Sequence, residues 1–489
     1  MTFALETAAH PEQLRRVAID PLSRVEGHGK VTLLLDADGH VEQVRLHIVE
    51  FRGFEKFIQG RPYWEVPVMV QRLCGICPVS HHLAAAKATD MIAGARLTPT
   101  AEKVRRLMHH GQILQSHALH FFHLASPDLL FGFDSEVGRR NVVALAAAHP
   151  ELARKGVLLR KYGQEVIRVT AGKRVHGTGA IPGGVNKSLT PDERAYLQED
   201  IYRVIAWSRE AVDIARRLHE SNRVLYDGFG AFRSNMLSIV APDGAMDLYD
   251  GALRARDADG QILVDHGDCA RYWELIFEEV KPWSYMKFPF LRALGPEAGW
   301  YKVGPLARVQ NCDRINTPLA DAARREFVDF GGGSPVHAPL AYHWTRMIEM
   351  LAAAETIKDL LHDDDLLGAD LVSSGERAER GVGVIEAPRG TLIHHYRVDE
   401  QDQVTRANLI VSTTHNNQAM NEAIRQVART YLDGQQLTEP LLNHIEVAIR
   451  AFDPCLSCAT HALGQMPLAV ELLDAGGRVI DRLVRDGGC

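Results

Sequence analysis

A predominantly helical α+β fold follows from three features of this 489-residue sequence. Several long segments repeat apolar residues at helical spacing, two shorter segments alternate around turn signals, and no shift in composition marks a boundary between domains. "KVTLLLDADGHVEQVRLHIVEF" (Lys30 to Phe51) carries two β-rich runs around an Asp-Ala-Asp-Gly turn and predicts a hairpin. "HHLAAAKATDMIAGARL" is alanine-rich, lacks Gly and Pro until Gly94, and predicts a helix from His81. Cys74 and Cys77 then lie at its N-terminus, where aligned peptide dipoles favour thiolate over thiol. Thr98 to Ser126 predicts a long core helix with a Thr-Pro start. Thr190 and Glu193 form a capping box with Pro191 at the first helical position, and the helical pattern continues from Leu197 to about Arg223. A further helix is expected over Pro339 to His362, and a second hairpin over Thr391 to Thr414. Glycine-rich connectors, "HGTGAIPGGVN" and "FGGGSP", lie between these segments.

Composition is that of an ordinary globular protein, 46% hydrophobic and 24% charged. The 55 basic and 62 acidic residues leave a net charge of -7 without blocks of one sign, which gives no footprint for nucleic acid or an anionic membrane surface. Apolar runs such as Val142 to Ala148 fall short of the roughly 20 residues a membrane span needs. The first residues lack the basic head and apolar centre of a secretory signal. Seven cysteines are too few, and odd in number, for a disulfide framework; a cytoplasmic location is expected.

Four of those cysteines sit in matched pairs at opposite ends of the chain: "QRLCGICPVSHH" (Gln71 to His82) and "DPCLSCATH" (Asp453 to His461). On spacing alone, a four-thiolate structural zinc site ranks first. Against it, the pairs are separated by most of the chain, the apolar content is ample for a core without a metal, and acids, histidines and an arginine loop accompany the cysteines. A redox dithiol needs one pair only. Four soft thiolates can instead hold a transition metal, with two of them bridging to a second metal.

"RLCGICPVSH" and "DPCLSCATH" resemble the two signature motifs of the nickel-iron hydrogenase large subunit. "SRVEGHG", "EFRGFEKFIQG", "HGTGAIPGGV", "YKVGPLARV", "GVIEAPRGTLIHHY" and "VSTTHNN" resemble further segments of that family in the same order. "EFRGFEKF", "WSYMKFP" and "DPCLSCATHALGQMPL" are most similar to its cytoplasmic, NAD(P)-coupled members. The resemblance implies a large-subunit fold with a central long-helix bundle and small peripheral β-sheets. It also implies a nickel-iron centre whose iron carries carbon monoxide and cyanide.

At matching positions, Cys74 and Cys455 would be terminal ligands on nickel, and Cys77 and Cys458 would bridge nickel to iron. Glu55, the backbone carbonyl of Leu409 and His461 would hold a buried magnesium ion; a carboxylate suits that ion better than a histidine does. His81 would donate a hydrogen bond to a bridging sulfur. Arg389, in "EAPRG", would overhang the metals as a permanently charged orienter, held by Asp128. Ser412 and Thr413 would stand beside the diatomic ligands. Heterolytic cleavage of dihydrogen requires a base, for which the family points to Cys455, with Glu26 as the gate that relays the proton outward. Read without the resemblance, Glu55 is a surface acid, His81 a polar residue at a helix start, Glu26 a structural partner of Arg24, and Asp453 a residue that shapes the turn before Pro454.

The resemblance divides the chain into a large-subunit domain, 1–461, and a maturation extension, 462–489, removed by a specific protease after nickel insertion. The residue-level alternative for those last 28 positions is a permanent hairpin around "DAGG". Cys269, Cys312 and Cys489 are isolated, and no Gly-x-Gly-x-x-Gly follows a strand. Electrons must therefore pass to partners: a small iron-sulfur subunit, and flavin-containing diaphorase subunits that bind NAD(P). Nickel-insertion and maturation factors are further implied partners. The competing readings are a hydrogen sensor, a deazaflavin-reducing hydrogenase and a zinc-stabilised structural subunit of a redox complex; the metal-free quinone-oxidoreductase scaffold lacks these four thiolates.

Overall fold

The structure is a computed structural model that describes residues 3–459, 468–473 and 478–485. Its centre is a bundle in which the helices Pro99–Leu119, Pro150–Ala171, Ile201–Ser221 and Ala341–Leu361 pack on one another. The last of these is buried without interruption from Ala341 to Glu355, as expected of a helix with no polar face to present to water. The Pro99–Leu119 and Pro150–Ala171 helices cross where glycines face each other. A Cβ on Gly163 would stand 2.6 Å from the Gly111 carbonyl oxygen, so backbone meets backbone at that point.

Small, mostly antiparallel sheets surround the bundle. Gly29–Leu35 and Val41–Ile48 form the hairpin expected in that region, joined at a left-handed Gly39, with Arg15–Ile19 added along the free edge of the first strand. Arg380–Ala387, Gly390–Val398 and Val404–Ile410 make a second three-stranded sheet, of which the last two strands are the expected second hairpin. The Pro78–Ile92 helix lies against this sheet. A four-stranded sheet, ordered Tyr301–Lys302, Asn235–Val240, Ala252–Arg256 and Ile262–Gly267, has short strands without strong turn signals and was not legible in the sequence. Strands Leu468–Leu473 and Val479–Arg485 pair antiparallel.

Three helix boundaries differ from expectation for local reasons. The Cys-proximal helix starts at Pro78 rather than His81, because proline is well placed at a first helical position. The segment expected to be one helix from Thr98 to Ser126 changes to a π turn over His120–Ala125 and restarts at Ser126–Phe131. Pro127 cannot donate to the residue four before it, and just ahead of it the Ser126 N–H and hydroxyl both bond the Phe121 carbonyl. The capping box at Thr190 and Glu193 is present, but its helix ends at Gln198 and a new one runs Ile201–Ser221.

Many histidines are buried in this core and held neutral. Burial pushes His47, His82 and His117 down to about 4, and His109, His110 and His415 down to about 3. Between these values and the unfolded pKa near 6.5 the unfolded chain binds more protons than the folded one, so stability falls as pH falls. Each such imidazole removes about 1.4 kcal/mol per pH unit across that window. The denaturant midpoint is therefore expected to drop steadily from pH 7 to pH 5; a midpoint that is flat or rises on acidification contradicts this.

Candidate metal centre

The four paired cysteines meet at one point. Residues Leu22 to Gly29 run beside Cys455 to Ser457: Glu26 and Cys455 form a parallel β-bridge, and the Leu456 N–H donates to the Glu26 carbonyl oxygen at 2.9 Å. Gly27 makes that approach possible. Its φ is +82°, and a Cβ there would lie 2.5 Å from the Ser457 nitrogen. Cys77 occupies the N-cap position of the Pro78–Ile92 helix, and Cys74 precedes it in extended conformation, its sulfur accepting from the Ile76 and Cys77 N–H groups. Gln112 and Gln115 of the central bundle donate to the Ile76 carbonyl and fix this loop.

Sγ atoms of Cys74, Cys77, Cys455 and Cys458 all lie within 4.8 Å of one another, and all four residues are buried. The Cys74–Cys455 separation is 3.2 Å, Cys455–Cys458 2.7 Å and Cys77–Cys458 3.7 Å. Four thiolates so close repel one another strongly unless a cation offsets their charge. Burial and the Cys74 and Cys77 sulfurs push the Cys455 and Cys458 thiols well above their ordinary range, whereas hydrogen bonds from Cys455, Cys458, Cys74 and His81 hold Cys77 well below it. A buried, soft, four-sulfur set fits a transition-metal centre.

Arg389 is buried beside this set. Burial alone would lower its pKa, but Asp453 and then the Cys455, Cys77 and Cys74 sulfurs hold it above the ordinary arginine value, so it stays charged. Its guanidinium pairs with Asp453 Oδ1 at 3.0 Å. This corrects two sequence expectations. Asp128 does not hold Arg389; it takes Arg24, Arg450 and Asn443 instead, since Arg24 points to the Leu119–Ser126 turn rather than to Glu26. Asp453 does more than shape a turn: at φ +54° it is held in the left-handed region, and burial pushes its carboxyl up to about 6 against the pull of Arg389 and Arg346.

Glu26 is not paired with Arg24. Its carboxylate accepts from Cys455 Sγ at 2.9 Å and from the Ser457 N–H at 3.2 Å, and the Ser457 hydroxyl donates to it as well. His81 Nδ1 lies 3.1 Å from His394 Nε2, while the same ring contributes to lowering Cys77. Thr413 Oγ1 accepts from the Cys455 N–H at 2.9 Å, and the Ser412 hydroxyl donates to the Gly390 carbonyl at 2.7 Å. Both hydroxyl residues line a small cavity with Cys77, His81, Arg389 and Cys455. Glu55 is buried rather than at the surface, and accepts from the Leu409 N–H at 2.8 Å; burial raises its carboxyl to about 7. His461 lies outside the described residues.

Sequence reasoning missed a supporting ion network. Arg308 is fully buried between Glu349 at 2.6 Å and Glu386 at 2.8 Å, and donates to the Ala387 and Pro388 carbonyls that lead into Arg389. His117 closes the network on Glu349 at 3.0 Å. The only signal available was charged residues standing at core positions of otherwise apolar segments.

Against known proteins, the Nickel-dependent hydrogenase family matches residues 52–131 and 265–461, and a HoxL-like family matches residues 16–51. The chain is 47% identical over 487 residues to the NAD-reducing hydrogenase HoxS subunit beta of Cupriavidus necator, covering 96% of this chain and 100% of the relative. It belongs to the nickel-dependent hydrogenase family. An F420-non-reducing hydrogenase polypeptide of Methanothermobacter marburgensis is 41% identical over 477 residues, with the same coverage. A crystal structure of an NAD+-reducing [NiFe]-hydrogenase in the H2-reduced state superimposes with a TM-score of 0.90 at 60% identity, over 91% of this chain and 99% of that one. The hydrogenase large-subunit fold expected from the resemblance is thus the observed fold, with the long-helix bundle at its centre and small sheets around it.

In this hydrogenase subunit, removing the carboxylate from Asp453 leaves Arg389 buried without its partner. Asp453→Ala is expected to lower stability by about 3–5 kcal/mol, read as a shift in the denaturant midpoint, whereas Asp128→Asn should leave the Arg389 site intact. An unchanged midpoint in Asp453→Ala contradicts the pairing.

Proposed function

We propose that this chain is the subunit that cleaves dihydrogen heterolytically, with electrons leaving through a small iron-sulfur subunit to diaphorase subunits that reduce NAD(P). The observation that carries this reading is the direct contact between a carboxylate and one sulfur of the buried four-cysteine set. Cys74 and Cys455 would hold nickel terminally, and Cys77 and Cys458 would bridge to an iron bearing carbon monoxide and cyanide. When bound, such a bimetallic centre supplies the Lewis acidity that dihydrogen, an extremely weak acid, needs for uneven cleavage.

The protein's own groups handle the proton. Cys455 Sγ accepts it inside the cluster and Glu26, 2.9 Å away, takes it onward, with Ser457 holding the carboxylate in place. Arg389 cannot act as a base because Asp453 and the sulfurs keep it charged; its part is to orient and to offset negative charge. Of the two hydroxyls that line the cavity, Ser412 is committed to the Gly390 carbonyl, whereas Thr413 accepts from the Cys455 N–H and would be the one to donate to a cyanide ligand. Glu55, whose carboxyl burial raises to about 7, suits a neighbouring magnesium ion that would keep it ionised, together with the Leu409 carbonyl and His461.

Among the described residues no second cysteine cluster accompanies the four-sulfur set, and onward electron transfer is assigned in this reading to other subunits. The Cupriavidus necator relative and the superimposed crystal structure are both named as NAD-reducing, which supports NAD(P) over a deazaflavin or a signalling partner. No helix among the described residues is long and apolar enough to cross a membrane. Residues 462–489 would be a maturation extension that a protease removes once nickel is inserted.

Hydrogen-dependent reduction of NAD(P) by the assembled complex tests the overall reading, and failure with both nucleotides would overturn it. Glu26→Gln is expected to retain nickel and iron yet slow hydrogen/deuterium exchange with water by about 10²–10⁴-fold. Full exchange in that variant would place the proton exit elsewhere. The active chain is expected to have a mass below 54.3 kDa, and an intact active chain contradicts the cleavage.

A further inference from the structure

Away from the metal centre, one cavity of about 520 Å³ opens on the face of the Arg380–Ala387, Gly390–Val398, Val404–Ile410 sheet, covered by the Ile276–Glu279 strand. Its volume falls within the range of small-molecule sites. The sheet places an unusual set of side chains there. Arg380 stands directly opposite Arg397, and Arg397 directly opposite Arg406, so three guanidiniums form a row across three neighbouring strands. Like charges at directly opposed positions repel and destabilise a sheet. Among the described residues Arg380, Arg397 and Arg406, and Arg292 on the facing wall, form no salt bridge, and Arg406 meets negative charge only through the longer-range pull of groups such as Glu55. The single carboxylate in the lining, Glu278, is engaged by Lys287 at 3.4 Å and by Asn408 at 3.3 Å. At neutral pH the lining thus carries five cations, Lys287, Arg292, Arg380, Arg397 and Arg406, against one anion.

His395, one layer below the arginine row on the same sheet face, registers the unopposed charge. Burial, followed by Arg380, Arg397 and Arg406, pushes it down to about 4. Arg380 also lies over the Trp273 ring at 4.6 Å, which fixes the row's outer end, and Phe277 at the rim is half exposed.

We propose that this cavity is a binding site for a small ligand carrying two or more phosphate groups. The planar fork of each guanidinium matches the oxygens of a phosphate, and a row of three suits a diphosphate better than a single monoanion. A concave site of this volume, open on one side, favours a small molecule over an acidic protein surface. Exposed Phe277 offers a ring face to a nucleoside attached to that diphosphate.

Titration calorimetry on the assembled complex, with inorganic pyrophosphate and with ADP in separate experiments, tests the site. Saturable binding is expected, and Arg397→Ala combined with Arg406→Ala should weaken it by about tenfold or more. These residues are solvent-exposed, so the variant should fold and keep its hydrogenase activity. Arg209→Ala, which removes an exposed arginine elsewhere, should leave affinity unchanged. Tighter binding of ADP than of pyrophosphate assigns a nucleotide; equal binding assigns the diphosphate alone. The proposal is overturned by the absence of saturable binding to either ligand, by equal affinity in the double variant, or by an equal loss in Arg209→Ala, which would mark a diffuse charge effect.

Discussion

Everything in this protein that concerns chemistry depends on one backbone contact, the short parallel bridge between Glu26 and Cys455. It joins a segment near the start of the chain to one more than four hundred residues later, and it sets the Glu26 carboxylate against the Cys455 sulfur. The glycine at position 27 is the condition for it, since any side chain there would collide with Ser457. Once the two ends are locked, the Cys74–Cys77 loop, fixed by Gln112 and Gln115 from the central bundle, completes the four-sulfur set.

Charge then decides how the site behaves. Four sulfurs within 4.8 Å form an environment that demands positive charge, and Arg389 supplies part of it at its edge. A buried guanidinium is costly unless its partners are fixed, and here two tiers fix it: Asp453 pairs with it directly, while Arg308, clamped by Glu349 and Glu386, grips the backbone just before it. The centre of the helix bundle therefore carries a buried ionic network where an ordinary core would carry leucines. That network is the structural counterpart of a chemistry that needs a fixed cation beside reactive sulfurs.

Much of this was legible in the sequence, for identifiable reasons. The paired Cys-x-x-C motifs are rare and specific, so their convergence could be expected from resemblance, and the hairpins at Lys30–Phe51 and Thr391–Thr414 announced themselves by alternation and turn residues. What could not be read were long-range pairings between single residues. Asp128 and Asp453 are both aspartates beside prolines, and nothing local tells which one faces Arg389; the answer lies in the left-handed backbone at Asp453 and in Arg24 and Arg450 claiming Asp128. The four-stranded sheet escaped because its strands are short and its order, with Tyr301–Lys302 added parallel to Asn235–Val240, is not sequential. The arginine row of the second sheet escaped because each of its members lies on a different strand.

The central claim is that both chain termini jointly cradle a nickel-iron pair. Infrared spectroscopy of the purified complex, combined with elemental analysis, tests it most directly. Bands from carbon monoxide and cyanide bound to iron, with nickel present in the complex and both the bands and the nickel lost in Cys455→Ser, are the expected result. Zinc in place of nickel, with no bands from diatomic ligands, would contradict it.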